Sequence, residues 1–83
     1  MIVYLEPAGG SARASLERAG VEMERVLGFR GRVTGAEVEG NRIVVTIEVN
    51  PKWDLPEKER TRYLKEWIPV KVKSVFEVIS VSD

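Results

Sequence analysis

The side chains that carry most enzyme chemistry are missing from this chain. It has no His and no Cys, which removes the commonest general base, the usual zinc ligand and the thiol nucleophile, and with them any disulfide or thiolate metal site. Carboxylates are plentiful, but Glu6, Glu37, Glu39, Glu48, Glu57, Glu59, Glu66 and Glu77 are scattered and fall mostly at positions expected to face solvent. Acid–base work needs a burial or charge environment that moves one carboxylate pKa. A metal site built from carboxylates alone needs them to converge. The spacing indicates neither, so the expectation is a non-enzymatic chain without catalytic, cofactor-binding or metal-binding residues.

Three constellations remain. The turn Pro7-Ala8-Gly9-Gly10-Ser11 stands before a predicted helix, and free N–H groups at a helix start attract anions. Gly9, Gly10 and Ser11 are therefore candidate anion-binding residues. The turn is neither a P-loop nor a GxGxxG, and no Lys follows in the Walker position; the simpler reading is a flexible connection with an ordinary cap. A second constellation is a basic rim of Arg32, Arg42, Lys71 and Lys73 around an uncovered sheet face, as a weak nucleic-acid binder would use. Against it, thirteen basic and thirteen acidic residues cancel, whereas phosphate binders usually carry a basic excess. No aromatic stands at the outward positions of strand 42–50, and Glu48 there repels phosphate. Phe29-Arg30-Gly31-Arg32 is basic and aromatic, but it is a single instance.

The third constellation is apolar. In a predicted final strand over residues 70–81, Val70, Val72, Phe76 and Val78 share one parity, and Val75, Ile79 and Val81 share the other. A strand with one wet face should alternate cleanly. An apolar second face implies cover by a partner, with Val44 and Tyr4 joining the patch. The competing readings are that residues 79–83 curl over their own sheet edge, or that a bulge near Ser74 switches the parity. The candidate interface is Tyr4, Val44, Val75, Ile79 and Val81, and the expected partner is a second copy or a larger protein assembly.

The elements that position these residues follow from periodicity. Residues 1–6 are a β-rich run broken by Pro7–Gly10. Ser11 caps a helix whose stripe is Ala12, Leu16, Ala19, Met23, Val26 and Leu27, and Gly28 ends it. Residues 30–39 and 42–50 form a hairpin around Gly40-Asn41, with a bulge near Gly35-Ala36 to reconcile the parities of Val33 and Val38. Asp54 and Glu57 have capping-box spacing for a second helix with Tyr63, Leu64, Trp67 and Ile68 inward, ended by Pro69. Trp67 is expected in the core, and Trp53 is expected to lie as a lid or a contact residue. The order β-α-β-β-α-β predicts one α+β domain over residues 1–83, a ferredoxin-like four-stranded antiparallel sheet with both helices on one face.

No apolar run approaches the roughly 20 residues that span a bilayer, and Met1–Gly10 lacks the features of a signal peptide; a cytoplasmic, non-membrane protein is expected. The chain has no Gln and only two Asn, with abundant Glu, Arg and Val, a heat-adapted pattern. The order of elements and the Pro7–Gly10 turn before the first helix resemble small-ligand-sensing regulatory domains of the ACT kind. That likeness is architectural, and the acidic residue of that family's ligand loop has no counterpart at Pro7, Ala8, Gly9 or Gly10. It implies a ligand-binding regulatory role as the alternative to assembly, without assigning residues.

Overall fold

Alternation in the strands and a 3.6-residue stripe in the helices deliver their apolar side chains to one layer. The computed structural model describes residues 1–72 and 75–83. The elements are β1 (Ile2–Pro7), α1 (Ala12–Leu27), a 3-10 turn (Gly28–Arg30), β2 (Gly31–Glu39), β3 (Arg42–Val49), α2 (Glu57–Lys71) and β4 (Phe76–Ser82). The strands form a sheet in the order β2-β3-β1-β4, antiparallel throughout. This is the expected α+β, ferredoxin-like arrangement. Val3, Leu5, Ile43, Val45 and Ile47 from the sheet meet Met23 and Leu27 from α1 and Leu64 and Ile68 from α2 in one core. Among the described residues no helix is long and apolar enough to cross a membrane.

α1 begins and ends as its sequence dictates. The Ser11 hydroxyl accepts from the N–H of Ala14 at 3.1 Å, satisfying one of the donors a helix start leaves free. The N–H of Gly28 closes the last turn on the Glu24 carbonyl. In the β2–β3 hairpin, Gly40 has φ 65° and Asn41 does not share the positive sign. Those signs are those of a type II′ turn, with glycine at the position that needs it.

Both parity conflicts are resolved by bulges. In β2 the register steps from Val33↔Ile47 to Gly35↔Thr46, so Thr34 is the extra residue and both Val33 and Val38 reach the core side. In β4 the register steps from Leu5↔Val78 to Tyr4↔Ser80, so Ile79 is the extra residue. The bulge lies at Ile79, inside the strand; Ser74, where a parity switch was considered, lies outside the described residues.

α2 departs from expectation at both ends. Asp54 does not cap it: the helix starts at Glu57 with Pro56 as N-cap and no side-chain cap. A residue preceding proline is disfavoured in the α region, so Leu55 cannot serve as a first helical residue after Asp54. The Pro56 carbonyl takes the N–H groups of Glu59 and Arg60 at 2.9 and 3.0 Å. At the other end Pro69 lies inside the helix, which continues to Lys71. The proline ring fixes a helix-compatible φ but forfeits its own donor and crowds the carbonyl four residues back; the helix nevertheless continues, and the N–H of Val72 still reaches the Ile68 carbonyl at 3.0 Å. Val70 is thus an exposed helical residue, and the final strand is shorter than predicted.

Candidate functional site

Two surfaces gather side chains that are not fully buried in the core. The first is the sheet face opposite the helices. Because Val3 and Leu5 are fully buried, strand alternation turns Ile2, Tyr4 and Glu6 the other way. The same logic turns Arg42, Val44, Thr46 and Glu48 outward on β3. The register sets Tyr4 between Val44 and Ser80, and Ile2 between Thr46 and Ser82. Ile2, Tyr4, Val44 and Ile79 are half-buried and do not pack on the core. They form an apolar centre on this face.

Charges surround that centre, mostly in pairs. Arg42 Nε donates to Glu6 Oε2 at 3.1 Å, and Arg32 Nε donates to Glu48 Oε1 at 2.9 Å. Glu37 opposite Val44, Glu39 opposite Arg42 and Glu77 opposite Glu6 add negative charge to the same face. The edges carry devices against strand addition: each edge strand contains a bulge, and the Glu24 carboxylate of α1 accepts from the N–H of Val33 at 2.5 Å.

The predicted interface is therefore partly redrawn. Tyr4, Val44 and Ile79 lie together. Val81 does not join them: the bulge inverts the parity, Val81 pairs with buried Val3, and it packs against the core. Val75 precedes β4 and stands apart; it is 43% exposed, and its carbonyl accepts from the N–H of Ala8 at 2.9 Å. Ile2 was missed, although the alternation of Val3 and Leu5 already groups it with Tyr4.

The residues of the other two constellations are placed differently. Gly9, Gly10 and Ser11 are exposed, and two of the donors beside them are in use. The N–H of Ala12 goes to Asn41 Oδ1 at 3.3 Å and that of Ala14 to Ser11 Oγ. Of the basic rim, Arg32 and Arg42 are paired to glutamates at opposite ends of the hairpin. Lys71 sits on α2 with its ammonium over Trp67, and Lys73 lies outside the described residues.

The second surface was not anticipated. Four of the chain's six aromatic side chains converge on Arg30, whose guanidinium carbon lies 4.8, 5.9, 5.4 and 4.5 Å from the ring centroids of Phe29, Trp53, Tyr63 and Trp67. The rings touch in a chain, edge-on from Phe29 to Trp53 and from Trp53 to Tyr63, then stacked from Tyr63 to Trp67. Local bonds hold them. Trp67 Nε1 donates to the Val26 carbonyl at 3.0 Å, Asn50 Nδ2 to that of Phe29 at 2.8 Å, and Arg60 to those of Pro51 and Trp53 at 3.0 and 3.1 Å. Close by, Arg25 donates to the Lys71 carbonyl; its hydrogen bond to Glu22 raises its pKa further above the ordinary guanidinium value. The one advance signal was the adjacency of Phe29 and Arg30, since the tryptophans and Tyr63 are brought over only by α2 and its preceding loop.

No known protein family, no curated protein and no solved structure matches the chain.

Proposed function

We propose that this chain is a non-enzymatic assembly module that pairs with a second copy of itself through its open sheet face. The observation carrying the reading is the apolar centre of Ile2, Tyr4, Val44 and Ile79, which is half-exposed and unused by the core. A small domain gains from burying such a patch against a partner. A two-fold contact brings each residue of the patch against the same patch, so unpaired charge at its centre would repel. Here the nearest arginines are already neutralised within the face by Glu6 and Glu48. The bulged edges favour contact through the face over strand-to-strand addition. Part of the same proposal is a cytoplasmic setting in a heat-adapted source, for which the support is compositional.

Sedimentation equilibrium of the purified chain tests it. Concentration-dependent self-association is expected, and Val44→Lys should abolish it while leaving cooperative thermal unfolding intact. A strict monomer up to about 100 µM, well above the range of ordinary micromolar contacts, would remove the proposal.

A further inference from the structure

Arg30 differs from the other arginines that the fold puts to use. Arg25, Arg32, Arg42, Arg60 and Arg62 each donate to a carboxylate or a carbonyl. Arg30 is half-buried, yet among the described residues its side chain has neither a hydrogen bond nor an ion pair; only its carbonyl is used, by the N–H of Asn50. Its Nε is the one side-chain nitrogen or oxygen among them that is buried without a hydrogen-bond partner. A guanidinium is a planar fork of donors suited to two oxygens of one acceptor. Four ring centroids lie 4.5–5.9 Å from its guanidinium carbon, and hydrogen bonds to the Phe29 and Trp53 carbonyls and from the Trp67 indole fix the segments that carry three of those rings. Beside it runs an open groove of about 470 Å³ lined by Phe29, Arg30, Lys52, Trp53, Leu55 and Tyr63, so positive charge and aromatic surface adjoin.

We infer that Arg30 and its rings form a binding site for a small ligand in which an oxyanion adjoins a flat apolar group, an aryl carboxylate or an aryl phosphate. The oxyanion meets the edge of the guanidinium and the Lys52 ammonium, and the flat group lies along the aromatic wall. Asp54 on the same rim limits the negative charge the site accepts, which favours a single oxyanion over a polyphosphate strand. This inference is independent of the self-association reading, since the two surfaces share no residue.

The chain's two tryptophans both belong to this cluster, so intrinsic fluorescence reports on it directly. The experiment titrates the intact protein with phenylacetate, phenyl phosphate and uncharged phenylacetamide. A saturable response to at least one anion is expected, weakened about tenfold or more by Arg30→Met; the tighter anion identifies carboxylate or phosphate as the natural group. Absence of a saturable response to either anion up to about 10 mM, or an equal response to phenylacetamide, overturns the inference. Should Arg30→Met fail to fold, the ¹⁵N–¹H resonance of Arg30 Nε in the unaltered protein decides: it must move along the same binding curve, and an unmoved resonance overturns the assignment.

Discussion

At the scale of single residues, opposing terms meet at Arg30. A cation over an aromatic ring gains on the order of 0.5–2 kcal/mol, while a buried donor without an acceptor costs about 1–3 kcal/mol. The rings stabilise the charge and the orphaned Nε takes much of that back. Trp67 faces no such conflict. The Val26 carbonyl belongs to the last turn of α1, where carbonyls lack intrahelical partners, and the indole N–H supplies one. Trp67→Phe preserves most of the ring packing and deletes that donor. It should cost about 1–2 kcal/mol in urea denaturation, and lower Tm by about 4–8 °C per kcal/mol for a domain of this size. An unchanged midpoint would mean that the bond adds nothing to stability.

The bulges matter at the scale of elements. In β4 the run Val78-Ile79-Ser80-Val81-Ser82 is out of step with a regular strand, and the extra residue at Ile79 restores step by letting both Val78 and Val81 reach the core side. Deleting Ile79 leaves Val78, Ser80, Val81 and Ser82 in clean alternation. The shortened chain should therefore keep its antiparallel pairing with β1 and unfold cooperatively, as followed by circular dichroism against temperature. A molten, non-cooperative product would show that the bulge supplies twist the sheet needs. In α2 two prolines act differently because of position. Pro56 delays the start through its restriction on Leu55, whereas Pro69 is tolerated in the final turn.

For the whole molecule, charge is balanced in total but not locally. The open face carries Glu6, Glu37, Glu39, Glu48 and Glu77 against Arg32 and Arg42, and that excess opposes phosphate there. If two copies pair through this face, the attraction is apolar and the residual electrostatics are repulsive. Added salt screens the repulsion. Self-association should therefore hold or strengthen as sodium chloride rises from low to physiological concentration and beyond. A steep weakening with salt in the same sedimentation experiment would point to ionic pairing between copies and away from the Tyr4–Val44 centre.

By itself the sequence determined the elements and their order. Periods of about two and 3.6, the Ser11 cap, the Gly40 turn and the need for a bulge in β2 are local properties of neighbouring residues, and local physics enforces them. It also marked Tyr4, Val44 and Ile79 as apolar side chains in excess of one face. Tertiary structure alone decided what depends on register and on chain segments far apart. The position of the β4 bulge, and with it the inward turn of Val81, is set by pairing with β1. The persistence of α2 through Pro69 removed Val70 and Val72 from the final strand, against the lost donor and ring crowding that make a proline read as a helix stop. The enclosure of Arg30 needs α2 and its preceding loop to close on the turn after α1, and Phe29 and Trp67 both reach Arg30 only because the fold brings them there.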